Sequence, residues 1–278
     1  IALDCVNRSV EGYPFRIELH CGDGTSLTMP DGTVTLSSLK AIALIYNPRH
    51  IIAEFGAPAV ITYATFPETR IEWSLARASV VLDGSLVDRF ALSIQDPQVA
   101  SFGLTPVSAK LAELHLRTDP ASADAVDVAL RFDGVDAIAG QPPVDVQAIA
   151  VLHRAQALFA AAQGGPAMML AAMGDGVPVN LSRLSLAAGG AAVSAAGDLK
   201  VRPDGARDGS VSVAVTTGEG RLPYLDGVLS PKEAETLRSI IQAVLNFGQQ
   251  TAIDGKPARA FPLSIAAGRV SAGLFPIG

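Results

Sequence analysis

The sequence predicts a mainly β protein, with one or more long, curled antiparallel sheets of half-barrel or sandwich type and one or two covering α-helices. Two observations lead to this fold class. Apolar and polar residues alternate along most of the chain, which is typical of strands with one buried face and one wet face. Asp-Gly pairs, which favour tight hairpin turns, punctuate the alternation. These pairs are Asp23-Gly24, Asp31-Gly32, Asp83-Gly84, Asp133-Gly134, Asp204-Gly205 and Asp208-Gly209.

The alternating runs predict strands in both halves of the sequence. The apolar positions of the clearest runs are Phe15, Ile17, Leu19 and Cys21; Ile71, Trp73 and Leu75; Phe90, Leu92 and Ile94; Ala112, Leu114 and Leu116; Val126, Val128 and Leu130; and Val211, Val213 and Val215. Charged and small polar residues occupy most of the positions between them. Each run therefore has one face suited to a core and another suited to water.

Helices are predicted at fewer places. Ser230-Pro231-Lys232-Glu233 is a capping box with proline at the first helical position, and it predicts a helix that ends near Gly248. Apolar residues recur in it at helical spacing, and we expect four of them to face the sheet: Leu237, Ile241, Val244 and Leu245. The run from Val146 to Ala162 fits both the strand period and the helix period. We interpret it as a strand that turns into a helix. A short helical turn is expected from Ala167 to Met173.

Composition narrows the classes of function. The 278 residues fit one β-rich domain, or two similar halves, 1–142 and 143–278, divided near Pro142-Pro143. Hydrophobic residues make up 49% and charged residues only 17% of the chain, against about 25% charged in ordinary soluble proteins. Such an excess must be buried or presented to another apolar surface. The net charge of −6 argues against nucleic acid as a partner, because no basic stripe is present.

The two cysteines, Cys5 and Cys21, share the phase of their predicted strands, and we expect a disulfide between them. The alternative is a pair of buried free thiols in a cytosolic protein. A disulfide would indicate an oxidising compartment. The chain begins with Ile1 and not with methionine, and we expect a hydrophobic leader or membrane anchor before it. The alternative is a sequence that was shortened without loss of a leader.

Local motifs for catalysis are not found. The four histidines, which are His20, His50, His115 and His153, are far apart in sequence, and no carboxylate–histidine motif frames them. The chain has neither a G-x-S-x-G elbow nor a G-x-x-x-x-G-K-[ST] phosphate loop. Two cysteines without further ligands nearby do not complete a zinc site. We therefore predict a protein that is not an enzyme and that has no cofactor and no metal.

Four segments resemble a bacterial envelope family of unknown function, DUF2125. The most specific is Gly12-Tyr13-Pro14-Phe15-Arg16-Ile17-Glu18-Leu19, followed by Cys21. The others are 46–52, 176–197 and 262–278, so the resemblance extends over nearly the whole chain. It implies an N-terminal signal or membrane helix before the present sequence. A weaker resemblance, to AsmA-like envelope proteins, implies curled sheets that form lipid-holding grooves.

These observations lead to a hypothesis of function. We expect a periplasmic protein, tethered to the inner membrane, that binds or relays a lipid or another long apolar molecule. Other envelope transport proteins are its candidate partners. The alternative is a non-catalytic scaffold of an envelope complex. Between Ala41 and Ile45 both strand faces are apolar, and we expect Ile42 and Leu44 to face the ligand. The predicted groove residues are Ile42, Leu44, Ile71, Trp73, Leu114, Leu116, Val128, Leu130 and Val213.

Overall fold

The computed structural model describes residues 2–29, 32–63, 66–84, 86–101, 103, 105–162, 165–217, 231–272 and 275–277. As predicted, the protein is mainly β, and its strands pair antiparallel. The strands are β1 Ala2–Asp4, β2 Ser9–Glu11, β3 Arg16–Cys21, β4 Thr25–Met29, β5 Gly32–Leu44, β6 Asn47–Tyr63, β7 Phe66–Glu72, β8 Leu75–Asp83, β9 Leu86–Gln95, β10 Gln98–Ser101, β11 Val107–Ser108, β12 Leu111–Asp119, β13 Ser122–Val135, β14 Val144–Leu152, β15 Val177–Ala188, β16 Ala191–Val201, β17 Arg207–Thr216, β18 Gln249–Ile253, β19 Lys256–Ala266, β20 Arg269–Ala272 and β21 Phe275–Ile277. The helices are α1 Ala155–Ala162, α2 Pro166–Met173 and α3 Pro231–Phe247.

The chain divides into two compact units. Unit 1 consists of Ile1–Leu116 and Arg131–Ala139, and unit 2 consists of Arg117–Leu130 and Gly140–Gly278. All three helices of the described chain belong to unit 2.

A line of strand interruptions, here called the crease, crosses the sheet of unit 1. Strand β5 pairs with β4 through its first half and with β3 through its second half, and its register shifts between Leu36 and Ser38. Strand β6 likewise pairs with β8 and then with β7. Strands β5 and β6 run unbroken across the crease, whereas β3 and β4 form one broken strand, as do β7 and β8. Because bulges bend strands and increase their twist, we infer that the sheet bends at this line.

Side chains supply hydrogen bonds where the crease interrupts the backbone ladder. The hydroxyl of Ser37 donates to the carbonyl oxygen of Ala57 at 2.6 Å. The indole N–H of Trp73 donates to the carbonyl oxygen of Phe55 at 2.9 Å. The fully buried hydroxyl of Thr25 donates to the carbonyl oxygen of Gly22 at 2.7 Å. Buried backbone groups need hydrogen-bond partners, and these side chains supply them where the strands are interrupted.

The predicted disulfide is confirmed, and it lies at the crease. Cys5 and Cys21 are bonded, with their Cα atoms 5.0 Å apart. Cys21 is buried and Cys5 is half-buried. The bridge joins the segment after β1 to the end of β3, beside the backbone hydrogen bond from the N–H of Gly22 to the carbonyl oxygen of Val6. It therefore fastens the outer strands to the sheet where the ladder is interrupted.

Unit 2 has a continuous antiparallel sheet in which β14, β15, β16, β17 and β19 follow one another, with β18 and β20 also paired to β19. Helix α3 packs on one face of it. Val244 of α3 is fully buried against Val213, Val215 and Leu263 of the sheet. This contact is one of two hydrophobic clusters in the described part of unit 2; the other is formed by Ala192, Ile253 and Ala258.

The helix predictions are confirmed wherever the structure describes the residues. Helix α3 begins at Pro231 and ends at Phe247, and three of its four expected sheet-facing residues, Ile241, Val244 and Leu245, pack in the core with the sheet. The fourth, Leu237, is half-buried. Ser230, the predicted cap, lies outside the described residues. The segment 146–162 is a strand that continues into α1, and the turn expected from 167 to 173 is α2. None of the helices in the described part of the chain has the length and apolar character needed to cross a membrane.

Two of the Asp-Gly pairs are not turns, which corrects the prediction. Asp133-Gly134 lies within β13 and Asp208-Gly209 lies within β17. A Cβ atom on Gly209 would lie 2.1 Å from the carbonyl oxygen of Asp198, so this glycine permits the close approach of two strands. Asp23-Gly24 lies at the crease between collinear strands, and not in a hairpin.

The remaining pairs behave as follows. Asp83-Gly84 and Asp204-Gly205 connect the hairpins β8–β9 and β16–β17, as predicted. Gly32 begins β5, and Asp31 lies outside the described residues.

Candidate functional site

The candidate site is one face of the unit 1 sheet, here called the apolar face. Strand pairing places its residues in rows that cross β3, β5, β6, β8 and β9. All fifteen positions are apolar. They are Ile17, Leu19 and Cys21; Leu39, Ala41 and Ala43; Ile51, Ala53 and Phe55; Ala76, Ala78 and Val80; and Phe90, Leu92 and Ile94. Because side chains alternate along a strand, these residues point to the same side of the sheet.

Burial on the apolar face decreases with distance from the crease. In the row next to the crease, Cys21 and Ala76 are only 3% and 2% exposed. In the row farthest from it, Ile17 is 52% exposed, and its row partners Ala43 and Ile51 are half-buried. The apolar face is therefore most buried at the crease and open at the other end.

The row nearest the open end continues into further exposed apolar residues. Phe15 precedes β3, and its carbonyl oxygen accepts a hydrogen bond from the N–H of Ile45 at 3.2 Å. Phe15, Ile45 and Tyr46 are all exposed. An exposed apolar edge next to an apolar wall is a common property of binding surfaces for apolar molecules.

The opposite face of the same strands, here called the polar face, is mostly polar, and it carries two of the predicted groove residues. Ile42 pairs with Glu18, and Leu44 pairs with Arg16. Both side chains are half-buried. Within the segment 41–45, Ala41 and Ala43 therefore belong to the apolar face, and Ile42 and Leu44 belong to the opposite one.

Glu18 is the centre of a charged cluster on this polar face. Its carboxylate lies 3.1 Å from Nζ of Lys40 and 3.3 Å from Nε2 of His20, and it forms an ion pair with Arg16. The Glu18 side chain is buried within this cluster. The hydrogen bond from Lys40 is the largest influence on its pKa, which is lowered even though burial acts in the opposite direction.

Replacing Glu18 with Gln should make the stability of the protein less dependent on pH. A lowered pKa in the folded state means that the charged carboxylate adds stability above its ordinary value of 4.5, and that this contribution is lost as the pH falls through the lower folded value. Urea unfolding of parent and variant at a series of pH values should show a difference at neutral pH that shrinks below pH 4.5. The exposed Glu11 gives a control, since E11Q should unfold like the parent at neutral pH. A difference between parent and E18Q that grows on acidification would contradict this account.

The other predicted groove residues lie at several places. Ile71 is half-buried on β7 and pairs with Ala59 and Val99, on the far side of the crease from the apolar face. Trp73 lies at the crease itself. Leu114 and Leu116 are half-buried on β12 in unit 1, and Val128 and Leu130 are half-buried on β13 in unit 2. Val213 is buried under α3. Their contact with a ligand stays a prediction.

Two hollows in unit 2 differ from an apolar groove. One, of about 330 Å³, is bordered by the ion pair of Arg183 with Asp254, whose atoms are 2.7 Å apart. The other, of about 400 Å³, includes Thr217, Gln250 and Arg259. Both are lined mainly by small or polar residues. Within the described residues, no group of three or more His, Cys, Asp or Glu side chains is placed to hold a metal ion.

Comparison with known proteins gives one match. The family described as "Uncharacterized protein conserved in bacteria (DUF2125)" matches residues 1–278, which confirms the resemblance found in the sequence. A search of curated proteins and a search of solved structures each found no match. The weaker resemblance to AsmA-like proteins therefore stays a prediction.

Proposed function

This chain belongs to the DUF2125 family of bacterial proteins, and on that premise we propose that it is an envelope protein that binds or relays a lipid or another long apolar molecule. The proposal places the molecule on the apolar face of unit 1. The observation that carries it is the unbroken apolar character of fifteen positions on five strands, combined with exposure that rises to 52% at Ile17.

The chemistry of the apolar face suits an acyl chain. Its residues are mostly aliphatic, and several are alanines, such as Ala41, Ala43 and Ala53, which leave a smooth wall. An acyl chain needs apolar area and exclusion of water, and it needs no directed hydrogen bonds. Each methylene that leaves water contributes about 0.8 kcal/mol to the free energy of binding. An acyl chain of ordinary length would therefore bind tightly even if the protein covered only part of it.

The proposed compartment is the periplasm, where the protein would be tethered to the inner membrane by a segment outside this sequence. Two observations support it. The family is bacterial, and the chain has a disulfide between Cys5 and Cys21. Disulfides persist in oxidising compartments and are rare in the bacterial cytosol. Binding to other envelope transport proteins is part of the same proposal.

Gentle purification followed by native mass spectrometry tests the proposal directly. We expect the protein to carry additional mass, and organic extraction should release a molecule with at least one long apolar chain. A protein that carries no such mass, and that takes up no fatty acid or phospholipid when they are offered, would leave the scaffold of an envelope complex as the better account.

A matched pair of substitutions locates the binding face. Ile51 belongs to the apolar face, whereas the next residue, Ile52, points to the polar face and is 43% exposed. I51E would place an unpartnered carboxylate against the ligand, which costs roughly 1–3 kcal/mol or more. We expect I51E to reduce lipid retention about tenfold, and I52E to retain lipid like the parent.

The unfolding midpoints of the two variants are the control. If I51E folds and still retains lipid as well as I52E does, the apolar face is not the binding site. If I51E does not fold, the milder I51T gives the same comparison with I52T. The same measurement on I42E and L44E would decide whether Ile42 and Leu44 contact the ligand.

A further inference from the structure

Two short helices of unit 2, α1 and α2, pack against each other and are here called the helical hairpin. No charged residue occurs between Arg154 and Asp175. Neither helix has an acidic residue in its first turn or a basic residue in its last turn. Ordinary surface helices carry a charged face, so this composition calls for a different environment.

Helix α2 is exposed on several sides, although it packs against α1 and its last two residues, Ala172 and Met173, are half-buried. The five consecutive residues 167–171 are all exposed, and Met168 and Leu170 reach 58% and 45%. Since an α-helix has 3.6 residues per turn, five consecutive positions point in every direction around the axis. Phe159 of α1 is also 51% exposed. The apolar surface of the hairpin is therefore not a single stripe.

Two charged residues, Arg154 before α1 and Asp175 after α2, fix the ends of the hairpin. The guanidinium group of Arg154 donates to the carbonyl oxygens of Ala172 at 2.7 Å and Met173 at 3.1 Å, at the end of α2. Asp175 forms an ion pair with Lys200 of β16. These contacts satisfy the last carbonyl groups of α2 and fix the hairpin to the sheet. Its apolar part begins directly beyond them.

We propose that the helical hairpin inserts into the surface of a lipid bilayer. A protein groove covers one stripe of a helix, whereas hydrocarbon can cover each of the sides on which residues 167–171 are exposed. The absence of charge also matches hydrocarbon, because a charged side chain there costs several kcal/mol. Each helix of eight residues is about 12 Å long. That length fits within one leaflet of a hydrocarbon core about 30 Å thick.

The inference is separate from the proposed ligand site. The hairpin belongs to unit 2, and the apolar face belongs to unit 1. The variant I51E should lose retained lipid and still bind vesicles, while a hairpin variant should behave in the opposite way. Failure of one proposal can therefore be told from failure of the other.

A fluorescent label tests the insertion. The two cysteines of the chain are bonded to each other, so a single added cysteine reacts alone. An NBD fluorophore on M168C should brighten several-fold and shift to the blue when phosphatidylcholine vesicles are added. The same label on F247C, at the exposed end of α3, should change little. An equal response at both positions, or no response at Met168, would overturn the proposal.

Flotation with the same vesicles gives an independent measurement. The parent should float with the lipid. In M168E/L170E the fraction of protein bound to vesicles should fall at least tenfold, while the unfolding midpoint stays that of the parent. F247E adds one negative charge outside the hairpin and should float like the parent. A parent that does not float, a double variant that floats equally well, or an M168C label that responds to protein concentration without vesicles would each overturn it. The last outcome would assign the hairpin to contact with a second copy of the chain.

Discussion

Val244→Asp is expected to destabilise unit 2 by about 4 kcal/mol. Val244 has no exposed surface and lies between α3 and the sheet, against Val213, Val215 and Leu263. The substitution removes the burial of an apolar side chain and leaves a carboxylate without a partner in an apolar core. Because whole domains are stable by only about 5–15 kcal/mol, urea unfolding followed by circular dichroism should show a large fall in midpoint.

Gln242 provides the matched control, because it lies on the exposed side of the same helix. Gln242→Asp introduces the same residue two positions away, and it should change the free energy of unfolding by no more than about 0.5 kcal/mol. If both variants unfold like the parent, α3 does not pack on the sheet through Val244, and the core described for unit 2 is wrong.

Removal of the disulfide is expected to lower the free energy of unfolding by about 2–3 kcal/mol. The bridge closes a loop between residues 16 positions apart, and a loop of about this size gives about 3 kcal/mol in the chain-entropy model, within a usual range of about 2–5. We expect the lower part of that range because the protein also has a substantial apolar interior. The measurement is the urea midpoint of C5S/C21S against that of the parent.

Reductant gives the control for this experiment. Dithiothreitol should move the parent to the midpoint of C5S/C21S and leave the variant itself unchanged. Mass spectrometry of unreduced peptides from protein secreted to the periplasm should show Cys5 linked to Cys21. Two free thiols in that material would contradict both the bridge and the argument for the compartment.

Some features of the fold could be predicted because they depend on local patterns. The disulfide followed from the shared strand phase of Cys5 and Cys21, and α3 followed from its capping box and its apolar spacing. The strand that becomes α1 followed from the change of period between residues 146 and 162. Each of these signals is contained within about twenty residues, so no knowledge of the tertiary fold was needed.

The orientation of the 41–45 segment could not be predicted in the same way. Its two faces are both apolar, and alternation then gives no preference between Ala43 and Leu44. Only the pairing with β3, which places Glu18 beside Ile42, fixes the face. The strand phase of β3 was visible in the sequence, but the register between β3 and β5 was not.

The crease could not be predicted because its signals are single residues within strand-like sequence. Ser37 in β5 and Trp73 between β7 and β8 are not part of a turn motif. Asp23-Gly24 has the sequence of a hairpin turn although it lies between collinear strands. Their common role depends on strands that are distant in sequence but adjacent in the sheet. A bulge adds one residue to a strand, and in β6 the consecutive small and apolar residues 55–61 hide the resulting change in the phase of alternation.

The crease also has a mechanical consequence for unit 1. Because β3/β4 and β7/β8 are each broken at this line, β5 and β6 are the strands of these pairs that cross it without interruption. A change in the angle of bend would rotate a few backbone dihedral angles near Ser37 and Ala57, and the ladders on either side would move as stiff plates. The two parts of the sheet could therefore move as rigid bodies about a hinge formed by β5 and β6. The Cys5–Cys21 disulfide would restrain that movement at the crease.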